Sequence, residues 1–189
     1  DIMVNNAGVE YPSSIAEGNP DHWREMLETN VLALIVGSQA AVKAMRACGA
    51  EGKIINISSV ASQRRDSGVY GATKHAVNVI TGTLRTELEK ESIRATTILP
   101  GATVTNFARN FSPAFTGGIL KLAGSDIEFK QGDRVPDEAL EKVTRLMSER
   151  FADPVHVANA VFYVVTQPIE INIEEIVVRP PKSMNLAID

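Results

Sequence analysis

The chain has 189 residues, 44% of them hydrophobic and 22% charged, enough for one globular domain with a sizeable core. With 19 basic and 23 acidic residues the formal net charge is −4, which gives no global attraction for nucleic acid or an anionic membrane surface. Cys48 is the one cysteine, which excludes an intrachain disulfide and a cysteine-cluster metal site; His22, His75 and His156 show no ligand spacing, so no metal is expected.

The chain opens on "DIMV", an apolar run that turns into "NNAG" and reads as a buried strand with a glycine turn. A helix follows from "GNPDHWREML", with Asn19 as N-cap, Pro20 in the first turn and acidic residues at its positive end. Trp23, Met26, Leu27, Val31, Leu34 and Ile35 keep helical spacing, and Gly49 and Gly52 close the segment. Its "VLALIVG" is the longest apolar run and is shorter than a bilayer span. No membrane partner is expected, and a reduced cytoplasmic setting fits.

"KIINIS" (53–58) reads as a second buried strand, followed by a turn holding the basic cluster "QRR", read as solvated. Residues 68–90 form a long helix, and "IRATTILPG" a third strand ended by Pro100 and Gly101. Residues 102–135 lack a sustained period and carry four Gly and four Phe; they are expected to form a lid with short helices over a pocket. Two helices, near 136–149 and 154–166, precede a last strand "INIEEIVV", and residues 181–189 read as a tail. Strands alternating with helices predict an α/β fold: a Rossmann-like, doubly wound parallel sheet covered on both faces, with right-handed crossovers. Ligands then bind at the strand carboxyl ends, here "NNAG", "NISS" and "LPGATVT".

The chemistry concentrates in "VYGATKHAV". Tyr70 and Lys74 lie four residues apart on one helical face, and an ammonium beside a phenol lowers its pKa toward working pH. Such a Tyr can pass a proton to or from an alcohol or carbonyl oxygen. Ser58 and Ser59 close the preceding strand, where a hydroxyl can hold a substrate oxygen or serve as an N-cap. Asn30 falls inside an apolar stripe and needs polar partners, either neighbouring backbone or a water in a proton path.

In order, "NNAG" (5–8), Asn30, "NISS" (56–59), "YGATK" (70–74) and "PGATVT" (100–105) resemble the short-chain dehydrogenase/reductase family, from residue 1 to about 180. The closing "NIEEIVVRP" is similar to a branch of NADP-linked hydroxy-acid and aldehyde reductases. The resemblance implies an NAD- or NADP-dependent oxidoreductase acting on a small alcohol or carbonyl compound. Tyr70 would be the general acid/base. Lys74 would lower its pKa and bind the nicotinamide ribose, and Ser59 would orient the substrate oxygen, with Ser58 as alternative. Asn30 would hold a water linking Lys74 to solvent. Asn5, Ala7 and Gly8 would line the adenosine side; Pro100, Gly101, Thr103 and Thr105 would line the nicotinamide and its phosphate. A homodimer or homotetramer is implied as well. The family's first strand and Gly-rich loop have no counterpart here, so the N-terminal strands are expected to lie outside this chain, which would be the C-terminal part of a longer enzyme. The alternatives are a redox-silent binding or regulatory subunit of the same fold, or an inactive fragment.

Overall fold

A computed structural model describes residues 1–182, so the expected tail lies, from 183 on, outside the described residues. Four parallel strands, β1 (Ile2–Asn5), β2 (Gly52–Ile57), β3 (Ile93–Pro100) and β4 (Glu175–Val178), form one sheet in sequence order. The expected α/β sheet with helices on both faces is what forms.

Local chemistry sets the helix ends. Asn19 caps α1 (Pro20–Leu27) by accepting from the Asp21 amide at 2.9 Å. The helix runs on through a π-turn, Glu28–Leu32, into α2 (Ala33–Cys48), which Gly49 closes in the left-handed conformation at φ 63°. α3 (Gly68–Glu87) follows β2. Beyond β3 come α4 (Pro113–Leu122), α5 (Asp137–Leu146) and α6 (Pro154–Val165), the last capped by Asp153.

Strand alternation sorts the core into two layers. Ile54 and Ala95 face α2 and α3, meeting Ala41, Val42, Met45 and Leu88. Their neighbours in the other phase, Ile55 and Ile98, face α6 and meet Val164. The strand order advances in one direction throughout, yet α6 covers the face opposite α2 and α3. The β3-to-β4 crossover therefore has the opposite hand to the first two. A uniform right-handed rule does not describe it, because the chain between these strands makes a long detour through α4 and α5.

That detour builds its own small core, with Val104, Leu120, Ala123, Phe129, Val135, Ala139 and Val143 buried together. The segment expected at 102–135 thus continues into α5. The helix spanning Pro20–Cys48 is also long and apolar enough to cross a membrane by composition, beyond what the run "VLALIVG" indicated. Its Ala41, Val42 and Met45 are buried against β2, the packing of a core helix on a sheet.

Candidate active site

Because the strands are parallel, the turns after β1, β2 and β3 emerge at one edge. They wall a cleft of about 1510 Å³, together with the start of α3 and the segment from Thr103 to Leu120. The chain leaves β2 at Ser58 and Ser59. Ser59 caps a short 3₁₀ turn, Val60–Gln63, accepting from the Ala61 amide at 3.1 Å. Gly68 at φ 59° then starts α3, a conformation that favours glycine, and Tyr70 follows in the first turn.

Lys74 lies one turn after Tyr70 and is 4% exposed. Its ammonium donates to the Ile57 carbonyl at 2.9 Å and lies 5.9 Å from the Tyr70 ring centroid. Burial pulls its pKa down to about 8, against an upward pull from the Glu10 carboxylate. The Tyr70 phenol is pushed up from its ordinary value, first by burial and then by the charge of Glu10, while a hydrogen bond with Ser59 acts downward. The expectation that Lys74 would set a low phenol pKa is thus not what the geometry gives. The ammonium lies 5.9 Å from the ring centroid and is engaged by a carbonyl, while burial and the Glu10 charge push the phenol up.

Glu10 is the residue sequence reasoning missed. It stands two positions past "NNAG" and lines the cleft with Tyr70 and Lys74; burial raises its pKa to about 7, against the Lys74 charge. The alternation of apolar and polar residues gives no sign of it. Phe107 was also missed; its ring stacks at a tilt on Tyr70, centroids 5.7 Å apart.

The other expected residues divide. Ser59 reaches Tyr70, whereas the Ser58 hydroxyl donates to the Lys74 carbonyl at 3.0 Å. Asn30, 1% exposed, lies in the π-turn. Its amide group accepts from the Val9 amide (2.8 Å) and donates to the Val9 carbonyl (2.9 Å) and to Thr73 Oγ1 (3.1 Å). It ties the loop after β1 to the helix bearing Tyr70 and Lys74. Gly8 lines the cleft; a Cβ there would stand 3.4 Å from Asn30 Oδ1 and 3.5 Å from Lys74 Nζ. Asn5 and Ala7 are not among the cleft-lining residues. The Asn5 side chain faces the α2 layer, donating to Ser38 Oγ (3.0 Å) and Asn56 Oδ1 (2.8 Å), because alternation along β1 sends Asn5 and Asn6 opposite ways. Asn6 lines the cleft instead.

Pro100, Gly101, Thr103 and Thr105 all border the cleft. At Gly101 a Cβ would come within 2.6 Å of Arg179 Cβ, so the glycine allows the end of β4 to pass close by. Thr103 donates to the Gly101 carbonyl, and Thr105 caps the 3₁₀ turn Asn106–Asn110. No cluster of three or more His, Cys, Asp or Glu that could hold a metal occurs among the described residues.

With this geometry in view, a family model described as short chain dehydrogenase matches residues 1–114. The chain belongs to this family. Among curated short-chain dehydrogenase relatives, Dehydrogenase/reductase SDR family member 11 of Bos taurus is 34% identical over 191 residues, covering 97% of this chain and 66% of its own length. An uncharacterized oxidoreductase of Staphylococcus haemolyticus is 31% identical, covering 95% of this chain and 64% of its own. The chain thus spans just under two thirds of the length of these relatives. Among solved structures, a serine dehydrogenase complexed with NADP+ superposes with a TM-score of 0.74 at 28% identity, covering all of this chain and 68% of that one. A 4-hydroxyisoleucine dehydrogenase complexed with NADH shares the fold, with a TM-score of 0.67 at 21% identity and 95% and 67% coverage.

Proposed function

We propose that this chain carries the proton-transfer site of an NAD- or NADP-dependent oxidoreductase that interconverts a small alcohol and its carbonyl compound. The observation that carries the reading is the convergence of Tyr70, Lys74 and Ser59 on one wall of the cleft at the strand carboxyl ends. The dehydrogenase and oxidoreductase names of the relatives support it.

A dinucleotide fits these residues. At Gly8 a Cβ would be in ordinary contact with Asn30 and Lys74, and without one the backbone and the Lys74 ammonium face the cleft together, open to a bound group. Tyr70, Lys74, Pro100, Gly101, Thr103 and Thr105 would hold the nicotinamide end; Gly8, with Asn6 in place of Asn5 and Ala7, would border the adenosine side. When bound, the cofactor supplies or accepts the hydride. The protein's residues handle the proton. In the reducing direction Ser59 donates a hydrogen bond to the substrate oxygen. Tyr70, uncharged near neutrality, donates its proton to that same oxygen. The Lys74 charge then stabilises the phenolate left behind, and the oxidising direction runs through the same groups in reverse.

The segment from Thr103 into α5, with its separate core, acts in this reading as the lid of the cleft. A homodimer or homotetramer is supported by exposed Leu27, Leu32, Ile35 and Val36 along α1, the π-turn and α2 and by Val79 on α3. We place the protein in the cytoplasm, acting on a small molecule without nucleic-acid or membrane partners. The test is NADH or NADPH deuterated at the reactive nicotinamide carbon, incubated with a panel of aldehydes and ketones. Deuterium on the carbinol carbon of a product alcohol is expected; cofactor binding with no transfer to any carbonyl would contradict the reading.

A further inference from the structure

We propose that Glu10 reads the substrate, its carboxylate pairing with an ammonium group borne beside the reacting carbon, so that the site takes amino alcohols and their amino-carbonyl counterparts. This inference rests on the oxidoreductase reading above and adds the substrate class.

Glu10 occupies the cleft wall shared by Tyr70, Lys74 and Ser59, and its charge acts on both Tyr70 and Lys74. Among the described residues its carboxylate has neither a hydrogen bond nor an ion pair. The other charged groups of the wall differ. Asp66 is clamped by Arg64 at 3.0 Å, Lys182 pairs with Glu149, and Lys74 is engaged by the Ile57 carbonyl. Arg65 and Arg179 also line the cleft, and neither pairs with Glu10. A carboxylate partly withdrawn from water without a hydrogen-bonding partner is unfavourable, and a cation entering the cleft relieves it.

The position of Glu10 is also fixed relative to the reacting groups. Asn30 grips both backbone groups of the adjacent Val9 and holds Thr73, which lies between Tyr70 and Lys74 in sequence. A group held this firmly beside the acid/base reads the substrate atoms next to the carbinol carbon. The near-neutral titration of Glu10 agrees, since a cation would draw its proton off on binding.

The experiment compares isopropanolamine, its neutral isostere sec-butanol and propylene glycol, using the complete protein with NAD or NADP. kcat/KM for the amine is expected to exceed that for sec-butanol by about tenfold or more, and Glu10→Gln to reduce this ratio by a similar factor. Glu10→Asp is expected to keep part of the preference. Calorimetry in buffers of different ionisation enthalpy is expected to find proton release when isopropanolamine binds at pH 7, and none with Glu10→Gln. Turnover of all three alcohols without amine preference, or a preference unchanged by Glu10→Gln, overturns the Glu10 assignment and leaves the oxidoreductase reading standing. Amine-selective binding that depends on Glu10, without any turnover, upholds the assignment and overturns that reading. Neither selective binding nor turnover overturns both.

Discussion

At the scale of single residues, the site sets two opposed titrations next to each other. Glu10 has its pKa raised from 4.5 to about 7, so between these values the folded protein binds more protons than the unfolded chain. Its contribution is therefore fully present below about pH 4.5 and is lost as pH rises through about 7, a change on the order of 3 kcal/mol. Denaturant unfolding of the wild type and Glu10→Gln at a series of pH values is expected to differ in slope across that window, the variant being flatter. Lys74, lowered to about 8, contributes in the alkaline range, where stability rises with pH up to its unfolded value. Tyr70, Lys74 and Ser59, which the fold brings to one cleft wall, stand out in the sequence by their spacing and their place after a strand. Glu10 does not, because a lone carboxylate in a turn looks like any solvated acid until the fold sets it, partly buried, in the cleft wall. The low phenol pKa expected from Tyr70 and Lys74 alone is not found for the same reason: burial and the Glu10 charge push the phenol up.

At the scale of elements, the π-turn Glu28–Leu32 is where local helix geometry yields to the site. The sequence exposed the anomaly, a polar Asn30 in an apolar stripe, but not its three partners. These come from a loop 21 positions away and a helix 43 positions away. Asn30→Ala removes them and leaves the Val9 amide and carbonyl without their partner. A loss of about 2–3 kcal/mol is expected. Thermal unfolding checks this, and an unchanged Tm would mean that the loop after β1 is held by other contacts. The helix and strand boundaries were legible from capping residues such as Asn19, Gly49 and Asp153, whose chemistry is local. The extent of the segment after β3 was not, since the cluster joining Val104 to Val143 is long-range. The opposite-handed last crossover was hidden in the same way, because it depends on which face α6 reaches.

At the scale of the whole molecule, the parallel order of β1 to β4 brings three strand-end turns to one cleft, and this much followed from the alternation of strands and helices. Apolar side chains remain exposed at the edge of the sheet and along the outer helices. Ile2 and Val4 of β1 are 56% and 40% exposed on the same sheet face as Ile55, at the edge away from α6, and the outer side of α1 and α2 is apolar. Val36→Glu on that helical side is expected to shift the complete protein to a smaller species in light scattering after size exclusion. An unchanged mass would move the interface elsewhere. Proton transfer by Tyr70 at a nicotinamide site is tested by Tyr70→Phe in the complete protein. kcat for carbonyl reduction would be measured beside the Kd for NADH and NADPH. If Tyr70 transfers the proton, kcat falls by about 10²–10⁴-fold while cofactor Kd changes by no more than a few-fold. A variant that keeps the wild-type kcat would contradict it.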